Sequence, residues 1–432
     1  MNINARTSRG KAGLRVLHFR RVFPVLSESF IYDPVVRMKA RGMETELLSV
    51  VQLPRRVAGV KPRKWVWLPP WLHVPKVLDR LGGKRFQQSE LDFWFAPLLN
   101  LGLRWQIEWY RPDIVLAHFG PDGCLILPAA RRTDVPLAVT FYGYDVTKLI
   151  ATQGERWRRK YRFLFRYADV LIAISQHIAD RLVELGADPR KIVKVHLGVD
   201  VSKFRYRDPA AGYDGKTVRC VHVGRLTPKK APLKLIEAFA RAKAMLQTQG
   251  GPALQLTIVG DGELWDACHE RVDELDLKPH VTLTGALPHE RVSKLLADSH
   301  LYTQHCVTTP DGDTEGLGLS FVEASASGLP VVSTVHNGIP EVVLHGRTGL
   351  LGPEGDIDTM ARHIADLAAD PARWTAMGRA GRTHVEQHFT IDHAIDRQMS
   401  VLADAVARHL ARRAEGHPPA VIARLATGSD HA

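Results

Sequence analysis

In the second half of the chain, short apolar runs repeatedly end on glycine and give way to helical patterns. No other feature limits the possible folds as strongly. Val221-His222-Val223 runs into Gly224, a basic loop and the amphipathic stretch Leu233–Phe239. Leu256–Val259 runs into the tight turn Gly260-Asp261-Gly262-Glu263, Val281–Thr284 runs into Gly285, and Gly328-Leu329-Pro330 opens the run Val331-Val332-Ser333. Strand, glycine turn and helix repeated in this order describe a doubly wound parallel sheet, which takes ligands at the carboxyl ends of its strands. The first half carries strands expected at Arg15–Phe19, Glu46–Val51, Ile114–Ala117, Leu137–Phe141 and Val170–Ser175. A length of 432 residues favours two or three domains. The polar stretch Ser202–Lys216, with Pro209, Gly212 and Gly215, reads as a linker. The expected division is a first domain over 1–205, a second over 206–388, an amphipathic helix over 389–413 and a loose tail over 414–432.

Chemistry gathers at two of these strand ends. The segment Asp313-Thr314-Glu315-Gly316-Leu317-Gly318-Leu319-Ser320-Phe321-Val322-Glu323-Ala324 sets two glutamates around a glycine-rich start. The glycines read as a loop opening a helix, whose first N–H groups lack internal partners and carry the positive end of the dipole. That is an anion site. Along a helix the two carboxylates would lie about 12 Å apart on roughly one side. Carboxylates accept from paired hydroxyls, so the segment suits a ligand with hydroxyls at both ends and a charged middle, the layout of a nucleotide sugar. Upstream, Arg225 offers a planar fork and Lys230 a mobile point charge, a pair able to neutralise a diphosphate. Capping alone explains glycine and acidic residues at a helix start; the basic loop is what turns the motif toward catalysis.

Charge is uneven along the chain. Residues 1–205 hold 35 Lys+Arg against 18 Asp+Glu, which leaves 23 against 28 for residues 206–432. The basic excess is interleaved with aromatics at Arg63-Lys64-Trp65-Val66-Trp67, Trp71, Phe93-Trp94-Phe95, Trp105 and Trp109, and again in Arg156–Phe163. Basic residues beside Trp and Phe suit an anionic bilayer surface. Packing inside the first domain accounts equally well for Trp65–Trp109, whereas the density of cations favours the membrane for Arg156–Phe163. Nucleic acid ranks below both, because no recognisable nucleic-acid module accompanies the charge. The N-terminus lacks an apolar signal core, and no run approaches about 18 uncharged apolar residues. The four cysteines, Cys124, Cys220, Cys268 and Cys306, have no metal-like spacing. Free thiols in a reducing cytoplasm are expected, with the protein peripheral on the inner face of the cytoplasmic membrane.

Gly224-Arg225-Leu226-Thr227-Pro228-Lys229-Lys230, Ile258-Val259-Gly260-Asp261-Gly262-Glu263, the Glu315–Glu323 segment and His336-Asn337-Gly338-Ile339-Pro340-Glu341 together resemble glycosyltransferase family 4. The first half adds Phe23-Pro24-Val25-Leu26-Ser27-Glu28-Ser29-Phe30-Ile31, His118-Phe119-Gly120 and Thr140-Phe141-Tyr142-Gly143-Tyr144-Asp145. The likeness thus runs over most of the chain and is closest to colanic-acid and exopolysaccharide-type members. It implies the GT-B fold: an α/β architecture of two doubly wound, Rossmann-like domains facing across a cleft, with a C-terminal helix crossing back to the first. It also implies retention of the donor's anomeric configuration. By position, the resemblance implies that Glu315 holds the donor sugar's hydroxyls, with the amides of Gly316, Leu317 and Gly318 near sugar and phosphate, and that Glu323 holds the ribose diol. It likewise implies Arg225 and Lys230 on the diphosphate beside Gly224, the base near Leu287, and His118 close to the transferred sugar. Ser27, Ser29, Tyr142 and Asp145 would line the acceptor side. Many relatives carry His where this chain has Tyr142, so any role of that histidine is not transferred.

The implied co-substrate is a nucleotide-diphospho-sugar, with no separate cofactor. The implied acceptor is a glycan carried on polyprenyl diphosphate at an anionic membrane. No metal is expected. Asp311-Gly312-Asp313 matches a pattern with which a different glycosyltransferase fold binds a divalent ion, but it reads here as a polar loop, because Arg225 and Lys230 already supply positive charge. His18, His305 and His336 are isolated in sequence and read as structural groups. Two other readings stand beside this one. A GT-B enzyme on a soluble substrate, such as a nucleotide-sugar epimerase or a sugar-phosphate glycosyltransferase, has no evident use for the basic, aromatic first half. A non-catalytic polyanion binder does not require a carboxylate beside the diphosphate site.

Overall fold

The computed structural model describes residues 13–23, 28–52, 59–60, 62–64 and 96–415. Ser27, the aromatic segment Trp65–Phe95 and the tail beyond 415 lie outside the described residues.

Two fully parallel sheets organise the chain. The first runs in the order β5-β3-β1-β6-β7-β8-β9, with β1 at Arg15–Phe19, β3 at Glu44–Ser49, β5 at Arg63–Lys64, β6 at Ile114–His118, β7 at Leu137–Phe141, β8 at Val170–Ala173 and β9 at Ile192–Lys194. A small parallel pair, β2 at Val22–Phe23 and β4 at Val51–Gln52, extends the ends of β1 and β3. The second sheet runs β12-β11-β10-β13-β14-β15, with β10 at Thr217–Val223, β11 at Ala253–Val259, β12 at Val281–Leu283, β13 at Leu301–Thr303, β14 at Val331–Thr334 and β15 at Gly349–Gly352. The central strands β6, β7, β8 and β14 are buried at every position. Helices cover both faces of such a sheet, which is why these strands read as unbroken apolar runs rather than alternations.

The helices of the first half are α1 at Ser29–Ala40, α2 at Ala96–Tyr110, α3 at Gly120–Arg132, α4 at Lys148–Tyr167 and α5 at Gln176–Glu184. Those of the second are α6 at Pro232–Thr248, α7 at Trp265–Glu274, α8 at His289–Asp298, α9 at Leu319–Ser327, α10 at Ile339–Val342, α11 at Ile357–Ala369 and α12 at Pro371–His388. The final helix α13, Ile391–Ala414, lays Ile395, Met399, Leu402 and Ala405 against Val16, Ile114, Leu116, Ala138 and Ile172 of the first sheet. The chain therefore crosses between the halves twice, and the crossings touch. Val199 N–H donates to Phe389 O and Ile391 N–H to Val199 O, both at 2.9 Å. A Cβ on Gly198 would come within 2.2 Å of Thr390 O, so only glycine allows this approach. The expected linker is not loose: Phe204 is fully buried, and Arg207 N–H donates to Ser327 O at 3.2 Å.

Strand order reverses between β1 and β6 in the first sheet and between β10 and β13 in the second. At such switch points the flanking connections leave in opposite directions and open a crevice at the strand ends. The polar residues of both halves collect at these two crevices.

Candidate active site

In the second half, the loop after β10 meets the loop before α9. Gly224 follows β10, and a Cβ there would stand 2.9 Å from Lys230 Cδ. The missing side chain leaves the lane along which Lys230 turns back over the strand end. Lys230 is buried, and its Nζ lies 2.9 Å from Glu315 Oε2. Burial disfavours both charges, yet Glu315 holds the Lys230 ammonium above its ordinary pKa, and Lys230 with Lys229 draws the Glu315 carboxyl down to about 2. The Gln304 carboxamide, oriented with its oxygen 3.3 Å from Lys230 Nζ, supplies a second acceptor. Arg225 is exposed beside this pair. Among the described residues no carboxylate forms an ion pair with it.

The two glutamates do not share a helix, as their spacing led one to expect. Glu315 sits in the loop, and Gly318, in a left-handed conformation (φ 80°), caps α9, which begins only at Leu319. Glu323 alone is helical. Glycines at 316 and 318 keep residues 316–318 out of the helix and let the backbone pass closely under the other half. A Cβ on Gly316 would lie 2.4 Å from Tyr142 O, and one on Gly143 3.5 Å from Gly316 Cα. Glu323 is about one-fifth exposed, 3.9 Å from His289 Nε2. Burial pushes its carboxyl up to about 7, against the pull of His289 and Lys230. Leu287 lies half-buried on the loop before α8.

Asp311 and Asp313 are paired with lysines. Lys148 Nζ, from the first half, lies 2.7 Å from Asp311, and Lys229 Nζ lies 3.2 Å from Asp313. Lys148 and Thr309 hold the Asp311 carboxyl down at about 2.

In the first half, His118 is fully buried at the end of β6. Its Nδ1 lies 2.8 Å from the Tyr142 hydroxyl and its Nε2 3.1 Å from His18 Nδ1. Burial holds His118 well below the ordinary histidine value and His18 down to about 3, so both rings are neutral links in one hydrogen-bonded chain that ends at Tyr142. His18 is therefore not isolated: His118 meets it through one ring nitrogen and the Tyr142 hydroxyl through the other. Phe119 follows with φ 75°, a strained conformation of the kind that clusters at functional sites. The Arg20 guanidinium sits 4.5 Å over its ring and bonds Glu28 (2.8 and 3.0 Å) and Asp122 (2.9 Å).

Asp145 does not face an acceptor. Its carboxylate is fully buried and accepts from the N–H groups of Gly120 (3.0 Å), Tyr142 (3.2 Å) and Gly143 (3.0 Å), clamping the β7–α4 turn. Burial holds it up at about 6 in spite of these bonds. Ser29 begins α1; Ser27 lies outside the described residues. Residue types gave no warning of the buried chain or of the Arg20 cluster, because His18 and His118, like Arg20 and Asp122, lie about a hundred positions apart and meet only at the switch point.

Two facing doubly wound sheets, with an ion-paired lysine and glutamate at one crevice and a histidine–tyrosine chain at the other, define a glycosyltransferase of the GT-B fold. The description Glycosyltransferase Family 4 matches residues 28–203, and Glycosyl transferases group 1 matches residues 208–384. WcaL of Salmonella typhimurium, a glycosyltransferase named for colanic acid biosynthesis, is 32% identical over 91% of this chain and 100% of its own length. The amylovoran biosynthesis glycosyltransferase AmsK of Erwinia amylovora is 28% identical over 91% of this chain and 100% of its own. The Anabaena protein HepE, solved with UDP and glucose, matches in fold with a TM-score of 0.66 at 18% identity, covering 90% of this chain and 100% of its own. The chain belongs to the glycosyltransferase family that these descriptions name.

Proposed function

We propose that the protein is a retaining, metal-independent hexosyltransferase of extracellular polysaccharide assembly, moving a sugar from a nucleotide diphosphate to a lipid-linked saccharide. The observation that carries this reading is the buried Lys230–Glu315 pair at the mouth of the glycine loop, under the backbone of Tyr142. Bound donor would lay its diphosphate along Lys230, Arg225 and the amides that open α9, its sugar against Glu315 and its ribose against Glu323. As the sugar C1–oxygen bond to the diphosphate breaks, negative charge grows on the departing phosphate, where fixed cations and dipoles stabilise it most. The acceptor hydroxyl attacks C1 from the same face, and its proton passes to that phosphate oxygen. The configuration is thereby retained, with no protein nucleophile invoked. Lys148 and Lys229 already neutralise Asp311 and Asp313, which supports a cationic rather than a metal-centred site. The names of the exopolysaccharide relatives support the pathway.

For the acceptor side, support comes from α4. Its outer face exposes Arg156, Arg158, Arg159, Lys160, Arg162 and Arg166, while Trp157 and Tyr161 pack inward. On α2 nearby, Leu101, Trp105 and Trp109 are 62%, 51% and 60% exposed at helical spacing. Such a surface suits an anionic bilayer carrying the acceptor, on the inner face of the cytoplasmic membrane.

The test is a thermal-shift screen against UDP- and GDP-hexoses, since selective binding raises the unfolding midpoint by mass action, followed by turnover of the selected donor. Lys230→Ala or Arg225→Ala is expected to lower kcat by about 10²-fold with the fold intact, and EDTA to leave turnover unchanged. Near-normal turnover in both variants sinks the donor assignment. Activity lost to EDTA and restored by manganese would return Asp311 and Asp313 to the site.

A further inference from the structure

We propose that His336, Asn337 and Glu354 form a positioning unit that fixes Glu315 by its backbone, and so sets where its carboxylate meets the donor sugar. The inference rests on the reading of Glu315 as the sugar's ligand. A carboxylate in a loop has no ladder of helical or strand bonds to locate it, and its reach is only as well defined as its main chain. Here both polar groups of the Glu315 main chain are taken by adjacent side chains from the loop after β14. Glu315 N–H donates to His336 Nε2 at 3.0 Å, and Asn337 Nδ2 donates to Glu315 O at 3.1 Å.

The histidine can accept only in one tautomer. His336 is fully buried, and its Nδ1 lies 2.5 Å from Glu354 Oε1. An ionised carboxylate only accepts, so Nδ1 carries the hydrogen and Nε2 presents its lone pair to Glu315. In the other tautomer two N–H groups would face each other. The second Glu354 oxygen accepts from Thr308 N–H at 2.7 Å, at the start of the loop that carries Glu315. Although burial disfavours the Glu354 anion, His336 and Thr308 hold it below the ordinary glutamate range. The loops after β13, β14 and β15 are thus stitched to one another around a single residue.

Two details argue that this is more than generic packing. Asn337 has φ 46°, a conformation glycine adopts without strain and asparagine tolerates. Its amide, the part that glycine lacks, is the part that holds Glu315. Next to it, a Cβ on Gly338 would stand 2.4 Å from Gly316 O and 3.1 Å from Leu317 Cα, so the β14 loop lies directly against the backbone that follows the glutamate.

Asn337→Gly keeps the backbone conformation and removes the amide, and Glu354→Gln keeps the volume and releases the tautomer. His336→Ala leaves a buried hole and is the less informative variant. With whichever of UDP-glucose, UDP-galactose and GDP-mannose gives the largest thermal shift, kcat and KM for nucleoside-diphosphate release are measured in Asn337→Gly, Glu354→Gln, Glu315→Gln and the double variants. Asn337→Gly and Glu354→Gln are expected to melt within a few degrees of wild type, to keep KM within about threefold, and to lose roughly 10- to 100-fold in kcat, the scale of a misplaced catalytic geometry. On a Glu315→Gln background they should add nothing, because they act through that residue. Wild-type kcat in both single variants, or losses that multiply with that of Glu315→Gln, overturns the positioning unit. Wild-type turnover in Glu315→Gln overturns the underlying reading of Glu315 and the inference with it.

Discussion

Glu323 is held at about 7 in the unliganded site because burial penalises its anion. A ribose diol needs an acceptor, and below pH 7 the protonated carboxyl has become a donor. Nucleotide-sugar affinity should therefore rise about tenfold from pH 6 to pH 8, following the ionised fraction of one group, and Glu323→Gln should flatten the curve. Calorimetry with an intact nucleotide sugar makes the test, since its diphosphate diester does not titrate in this range. A wild-type curve as flat as the variant's would remove Glu323 from the ribose. At this scale the chain is only partly legible. That Lys230 and Glu315 belong to one site follows from residue type and motif, because both stand at the carboxyl ends of strands in one parallel sheet. Sequence places Asp145 on the acceptor side and His336 among structural groups; the structure shows the first fully buried and the second buried with both ring nitrogens bonded. Their surroundings come from residues distant in sequence: the amide of Gly120 for one, Glu354 and the Glu315 N–H for the other.

Elements were read more securely where burial is complete. Leu137–Phe141 matches its expected range, because a short run dominated by apolar and β-branched residues is what a parallel strand covered on both faces presents. Edge and loop pieces were missed. The strand Ile192–Lys194 is short and half-exposed, and the start of α9 depends on Gly318 rather than on the glutamate spacing. The amphipathic pattern after Phe389 does become the helix that crosses to the first sheet, and its seam is apolar. Leu402 is fully buried there among Val16, Ile114 and Ile172. Leu402→Ala should cost about 2–5 kcal/mol of stability, the range for a buried leucine whose cavity cannot collapse. Urea unfolding measures it, and a change below about 1 kcal/mol would mean that α13 is not integral to the first half.

Over the whole molecule the halves are pinned at several places besides the double crossing. The Glu341 carboxylate accepts from Gln176 N–H at 2.6 Å and lies 2.8 Å from both Lys194 Nζ and His196 Nε2, while Lys148 reaches Asp311 from the opposite side. Burial alone would raise Glu341; His196 and Lys194 instead draw it down to about 2, so the Glu341 carboxylate stays ionised across the working range. The charge asymmetry of the two halves gives a prediction at the same scale. Binding to vesicles should grow with anionic lipid and fade as salt shortens the screening length from about 10 Å at 0.1 M to about 3 Å at 1 M. Changing Arg158, Arg159, Lys160 and Arg162 together to Gln should abolish most of it in co-sedimentation. Equal binding by the variant at low salt, or wild-type indifference to anionic lipid, would favour a soluble acceptor.

What the amino-acid order determined by itself is what short-range physics can write into a line: apolar runs for covered strands, glycines at turns that bring backbones together, and cations and carboxylates at strand ends where a parallel sheet opens a crevice. It also carried the family likeness, which is the sum of those local features in order. Only the tertiary structure decided which polar groups are turned inward and which outward, because burial and hydrogen bonding depend on neighbours supplied from far along the chain. His118 is held between Tyr142 and His18 because β1 delivers His18 to its other nitrogen. Glu315 is held where it is because three strands, β13, β14 and β15, end side by side and the loops that follow them meet.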